Sequence, residues 1–231
     1  SYFFRCVIVV FILNLGDELS LFILKVIGIV TMFLDHYHYV IGGSEILNVA
    51  GRIAFPIFAF TLSEGYVHTR SLKKYLLRLF IFAVSIQMPS VLLGYNYPMN
   101  IFFTLFLGLL SIYIFSLKKI SIILKIILIG FILFFSQKFK LDYGMYGILL
   151  IMNFSIFRND KFKILMNFLV LNVFNAIFPE VFDLPDTQFF SLISLVFIFM
   201  YNGEKGRSMK YFFYLFYPIH FFILEAIKNF F

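Results

Sequence analysis

Apolar runs recur along nearly the whole chain with only short polar breaks between them, and this pattern restricts the fold more than any other feature. The runs fall near residues 21–41, 50–67, 73–93, 101–117, 120–136, 143–157, 162–179, 188–201 and 209–230. About 20 apolar residues in helical form cross the hydrocarbon core of a bilayer. Inside lipid every backbone N–H and C=O must be satisfied within the protein, which leaves helices or closed barrels. Membrane barrels show weaker, alternating segments of ~10 residues. The runs therefore predict an all-α fold, a polytopic transmembrane helical bundle of about nine or ten helices. Several runs are shorter than a full span and predict tilt, local thinning or a re-entrant segment; 143–157 and 188–201 are the weakest. Residues 1–20 stand apart. SYFFRCVIVVFILNL is apolar but short for a span, with Arg5 near its start, and Asp17, Glu18 and Ser20 then make a polar break and a helix cap. This segment reads as a clipped helix, an interfacial segment or the remnant of a signal anchor. A cleavable signal fits less well, since no small-residue cleavage site follows. Residues 21–231 read as one domain.

Composition bears on class and partners. The chain is 13% charged with a mean hydropathy of +0.97, against ~25% charged in soluble domains. There is no Trp, so an interfacial aromatic belt must be built from Tyr and Phe. The single cysteine, Cys6, excludes an internal disulfide and a Cys-based metal site. A net charge of +7 would suggest nucleic acid in a soluble protein. Here the basic residues lie in short loops, so orientation explains them and no nucleic-acid partner is expected. One alternating set of loops carries Arg70, Lys73, Lys74, Lys118, Lys119, Arg158, Lys161, Lys163, Lys205, Arg207 and Lys210; the other carries Lys138 and Lys140. The positive-inside rule puts the first set in the cytoplasm. The expected location is a cytoplasmic membrane, crossed several times, with membrane lipid around it.

Ionisable groups inside such runs carry the functional signal, since each costs roughly 3 kcal/mol even on lenient insertion scales. They concentrate in FLDHYHYVIGG and NVAGRIAFPIFAFTLSEGYVHTRSLKK, as Asp35, His36, Arg52 and Glu64. On the first helix Gly28, Thr31 and Asp35 share one face, and His36 lies on an adjacent one with Met32, Ile29 and Lys25. Lys25 lies ~16 Å along the axis from His36, so one helix can line a path from a cation to an imidazole. Orientation places Asp35, His36 and Arg52 towards the outer surface, and Glu64 and His68 at the inner end.

An imidazole titrating near neutrality can accept and return a proton in an acyl transfer, or be acylated itself. Arg52 can neutralise Asp35 or stabilise a developing oxyanion. Glu64 is expected to pair with Arg70 or Arg78. The basic turn from His68 to Arg78 can grip phosphates at the start of the third helix. Gln87 precedes Pro89 in an apolar run; Asn100, Thr104 and Gly108 recur every four residues as one small, polar face. Tyr217 and His220 flank Pro218 and share a side of the last helix. Each of these sets also serves as an interhelical hydrogen-bonding device, worth ~0.6 kcal/mol on average, and Asp35 with Arg52 also serves to lock two helices. His38 and Tyr39 read as interfacial. HExxH, Walker-A and GxSxG motifs are absent and the four histidines are spread over both faces, so no metal is expected.

LKVIGIVTMFLDHYHYV, GRIAFPIFAFTLSEGYVHTRSLKKYLLRLFIFAVSIQMP and NIFFTLFLGLL together resemble the TraX family of bacterial membrane proteins. Weaker echoes follow in DYGMYGILLI and KYFFYLFYPIHFFIL. TraX is associated with N-terminal acetylation of conjugative pilin, and the family is distantly similar to multi-spanning acyltransferases that draw on cytosolic acyl-CoA. The resemblance implies acetyl-CoA as donor, His36 of the Asp-His pair as catalytic residue and Arg52 as its partner. Through the YPIH string it also implies a role for His220. At DHYHY the chain departs from the family, whose members more often follow Asp-His with small or aliphatic residues, so His38 stands beside His36.

The expectation is an integral-membrane acetyltransferase of a bacterial cytoplasmic membrane. Acetyl-CoA would enter from the cytoplasm, its phosphates met by Lys25, Arg70, Lys73, Lys74 and Arg78. An amine or hydroxyl acceptor, on a pilin or other peptide or on a glycan, would approach His36 from the outer side. Asp35, Arg52 and His220 complete the catalytic set; Glu64, Gln87, Asn100, Thr104 and Tyr217 line substrate or join helices. A transporter or channel would use the same groups as a proton or substrate path; internal repeats would favour it, and the halves show no convincing similarity. A non-enzymatic assembly scaffold would use them only to hold helices together.

Overall fold

The computed structural model describes residues 18–92, 94, 98–207 and 210–230, and the apolar run at 1–17 lies outside the described residues. Within them the fold is all-α. Helix α1 (Leu21–Ile41) starts at Ser20, whose hydroxyl accepts the Ile23 N–H. It ends at Gly42 and Gly43, whose φ angles of 99° and 118° suit residues without a Cβ. Ser44 caps the short α2 (Glu45–Gly51), and α3 (Ala54–His68) follows after a break at Arg52 and Ile53. Pro56 accounts for the break. It offers no N–H to the Arg52 carbonyl four residues back, and its ring crowds that carbonyl. The sequence predicts one helix over 50–67 with Arg52 at its head; instead Arg52 occupies a corner between two helices and turns towards α1.

The next helices occupy their predicted runs closely: α4 (Leu72–Leu92), α5 (Ile101–Ser116), α6 (Ile122–Lys138), α7 (Gly144–Ile156) and α8 (Lys161–Ile177). The run at 188–201 is a 3-10 helix, Asp186–Ile193, leading into a short α-helix, and a one-turn helix that no apolar run signalled precedes it. In chain order these are α9 (Pro179–Phe182) and α10 (Ser194–Phe199), and α11 (Lys210–Phe230) closes the described chain. Among the described residues, Leu21–Ile41 and the Glu45–His68 stretch are long and apolar enough to cross a membrane. Ile101–Ser116, Gly144–Ile156 and Asp186–Phe199 are apolar but shorter.

Helix α3 forms the centre, with Phe55, Ile57, Ala59, Phe60 and Leu62 all buried and α1, α5 and α7 packed on it. Small residues set the approach distances. Gly28 of α1 faces Ile57 and Phe58, and Gly147 of α7 faces Phe55 and Thr104. Such close approach brings the helix backbones together and multiplies the dispersion contacts between them. On the periphery, α6 turns Ile123, Ile126, Ile127, Phe131 and Phe134 outward, each at least 60% exposed. A soluble monomer rarely shows so large an apolar face.

The two ends of the bundle differ in charge. At one end Arg158 reaches Glu64, Tyr66 donates to Ser116, and Lys161 donates to the Phe199 carbonyl. These contacts gather the links after α3, α5, α7 and α10, which are the basic loops grouped from the sequence. At the other end the Asp142 N–H donates to the Met99 carbonyl at 2.8 Å, and Asn48 and Arg52 reach Asp35.

Candidate functional site

A cavity of about 1000 Å³ joins these two ends. Asp35, His36, Arg52, Asp142, Tyr143 and Tyr217 line one end of it; Lys25, Glu64, Arg70, Lys74, Arg78 and Lys205 line the other. Between them the walls are mostly apolar, with Phe55, Phe58, Leu62, Phe102 and Leu105. The groups that the sequence splits between two faces therefore share one space.

At the end nearer the 42–44 turn, Asp35 accepts from Arg52 Nη2 at 2.5 Å and from Asn48 Nδ2 at 2.9 Å. Both partners of the ion pair are mostly buried, at 11% exposure for Arg52 and 18% for Asp35. Arg52 Nε is buried with no hydrogen-bond partner among the described residues, a donor left over. His36 is held by a different helix. Its Nδ1 lies 2.5 Å from Nε2 of His220 on α11, and His220 Nδ1 lies 2.9 Å from the Phe216 carbonyl. His220 is fully buried, flanked by the rings of Phe216 and Phe221 at 5.2 and 4.5 Å. Tyr217 stands edge-on to His36 at 6.3 Å. His38 is absent from the cavity wall and lies 3.8 Å from Glu45, so His36 is the histidine of DHYHY that faces the cavity.

Asp142 and Tyr143 are not among the residues that the sequence singles out, and appear there only within the string DYGMYGILLI. The linker before α7 turns inward through Lys140 and Tyr143, with φ of 48° and 57°. Left-handed backbone at such residues costs about 1–3 kcal/mol and needs support from its surroundings. Here the Thr104 hydroxyl donates to the Asp142 carbonyl at 2.5 Å, and Tyr143 stacks on Phe55 at 4.0 Å. Burial pushes the Asp142 carboxyl up to about 6, with Asp35 adding to the shift and Arg52 opposing it. The DYG string is the one local hint of this turn.

At the basic end, Lys25, Arg70, Lys74 and Arg78 line the cavity, joined by Lys205 from the link before α11. Arg78 Nε is buried without a hydrogen-bond partner among the described residues, and its Cζ sits 5.5 Å over the Tyr75 ring. Lys73 is exposed and does not line the cavity. The expected pairing of Glu64 with Arg70 or Arg78 does not form. Arg158, 94 residues away, donates to Glu64 through Nε at 2.5 Å and Nη2 at 2.9 Å, with His68 Nε2 at 3.6 Å. Helical spacing cannot anticipate a partner so distant in sequence.

Gln87, Asn100 and Thr104 do not line the cavity. Gln87 Oε1 accepts from the Asn100 backbone N–H and from its Nδ2, which also donates to the Ala83 carbonyl. This ties α4 to the head of α5, while Thr104 holds the 142 linker. Among the described residues no group of three or more His, Cys, Asp or Glu is placed to share a metal ion.

An all-α bundle enclosing a cavity with His36, backed by His220, at one end and clustered cations at the other is the class that fold and site define. Within it the chain belongs to the TraX family, whose model, described as TraX protein, matches residues 20–228. The chain is also 31% identical to the Probable fimbrial assembly protein FimC, serogroup H1, of Dichelobacter nodosus, over 92% of this chain and 97% of that protein. No solved structure matches it.

Proposed function

We propose that this protein is a multi-pass acetyltransferase of the bacterial cytoplasmic membrane, moving an acetyl group from cytosolic acetyl-CoA to an amine or hydroxyl acceptor at the outer side. The observation that carries this reading is the cavity joining His36 to the cation cluster. A donor with an anionic head, a long flexible arm and a reactive thioester suits a chamber that is cationic at one end, apolar in the middle and basic in the proton-accepting sense at the other. Lys25, Arg70, Lys74, Arg78 and Lys205 meet the phosphates, and the thioester lies beside His36.

The acceptor N–H or O–H gives its proton to His36 as its lone pair attacks the thioester carbonyl carbon. The oxyanion of the tetrahedral intermediate is stabilised by Arg52, whose Nε–H has no other partner among the described residues. The C–S bond then breaks, coenzyme A leaves, and His36 returns the proton to its sulfur. Asp35 and Asn48 hold Arg52 and the head of α2 against α1.

The relative's description as a fimbrial assembly protein favours a second reading, an assembly role without chemistry. One experiment separates the two. Purified protein is incubated with radiolabelled acetyl-CoA under single-turnover conditions, as wild type and as His36→Ala, with thermal unfolding of both. Coenzyme A release or protein labelling that disappears in a folded variant supports the enzyme. A variant that fails to fold, together with an unreactive wild type that does not bind acetyl-CoA, sinks it in favour of assembly.

A further inference from the structure

On the reading of His36 as the group that handles the proton, we propose that His220 is a positioning residue: it fixes His36 as the Nδ1–H tautomer and leaves the His36 Nε2 lone pair for the cavity. The Phe216 carbonyl oxygen can only accept, so its 2.9 Å contact requires a hydrogen on His220 Nδ1. Fully buried and flanked by two phenyl rings, the His220 imidazole sits where desolvation opposes a charged ring. It is therefore neutral, and its Nε2 carries a lone pair.

That lone pair meets His36 Nδ1 at 2.5 Å. Two lone pairs would repel at this distance, so His36 Nδ1 carries the hydrogen and donates it. The other nitrogen of a neutral His36, Nε2, is then an acceptor, and His36 lines the cavity whereas His220 does not. The hydrogen on one nitrogen is set by the bond that the other makes, as in any imidazole.

The chain of hydrogen bonds stops at a backbone carbonyl, so no proton passes beyond His220. A proton taken up at His36 Nε2 stays on that ring, the new charge is stabilised through the Nδ1–H bond to His220, and the proton leaves from the same nitrogen. The carboxylate next in sequence has a different task. Both oxygens of Asp35 are engaged by Arg52 and Asn48. Helix α11, packed chiefly on α1, supplies the orienting group instead.

The test uses the full chain labelled with 15N-histidine in detergent. Its four histidines are assigned by single substitution, and long-range 1H–15N spectra report which ring nitrogen is protonated. The expected wild-type pattern is a protonated Nδ1 and an unprotonated Nε2 on His36. His220→Ala should release His36 to the Nε2–H form. His220→Gln, whose side-chain oxygen can accept at the position of Nε2, should retain Nδ1–H. In acetyl transfer, His220→Ala should lower kcat at least ~10-fold with KM unchanged, and Gln should recover part of the loss. An Nε2–H tautomer in wild type, or Nδ1–H retained in His220→Ala, overturns the proposal. If the Ala variant does not fold, the wild-type and Gln spectra decide. The expected tautomers with no transfer by any variant support the positioning role and overturn the acetyltransferase reading instead.

Discussion

Gly51 of α2 lies directly against the Asp35 side chain of α1, and a Cβ at residue 51 would occupy the space that the carboxylate fills. The absence of a side chain at one position thus permits the ion pair at the other. Gly51→Ala is expected to push Asp35 off Arg52 and to lower stability by about 1–3 kcal/mol, the range for overpacking. Gly130→Ala on α6 is the control. Among the described residues nothing lies within 4 Å of a Cβ there, and the change should be neutral or gain up to ~1 kcal/mol in helix propensity. Thermal unfolding in detergent compares them, and equal Tm values would refute the contact.

The Asp35–Arg52 pair is mostly buried, so removing one partner strands a charge. Arg52→Gln and Asp35→Asn are each expected to cost ~3–5 kcal/mol. The double variant should cost clearly less than the sum, because it leaves no charge behind. A double-mutant cycle in thermal or denaturant unfolding measures this, and additive losses would mean that the pair is not coupled.

Arg158, rather than Arg70 or Arg78, neutralises Glu64. Arg158→Ala should destabilise by less than the ~3–5 kcal/mol of a fully buried pair, since the Arg158 side chain is 34% exposed. Adding Glu64→Gln should restore most of the loss. Arg70→Ala should leave Tm nearly unchanged, and a large fall there would restore the pairing expected from sequence.

Asp142 makes stability depend on pH. Its carboxyl is raised from 3.8 to about 6 by burial, so the fold prefers its protonated form. The contribution is fully present below the ordinary value and is lost as pH rises through about 6. Relative to Asp142→Asn, wild type should therefore lose Tm between about pH 4 and about pH 7 and change little above. A Tm difference that is flat across this window would contradict it.

Coenzyme A should raise Tm by mass action if it occupies the basic end of the cavity. Lys74→Ala and Arg78→Ala should shrink the shift, and Lys73→Ala should not, because Lys73 does not line the cavity. Equal effects of all three would point to diffuse attraction by the basic loops rather than a site.

Helix positions and the sorting of the basic links are legible in the amino-acid sequence by itself, because the apolar character of a run and the charge of a loop are local properties of the chain. The runs at 101–117 and 162–179 match α5 and α8 almost residue for residue, and the face of α1 that carries Gly28 does meet α3. Asp35, His36 and Arg52 stand out for the same reason: a charge inside an apolar run is conspicuous wherever it points. What the tertiary structure alone decided was who meets whom. His36 and His220 are 184 residues apart, Glu64 reaches across to Arg158, and Asp142 faces inward through a left-handed turn at Tyr143. Those pairings depend on how each helix is rotated and where its neighbour is placed. Rotation and placement are set by packing between distant segments, and no local pattern of apolar and polar residues encodes them.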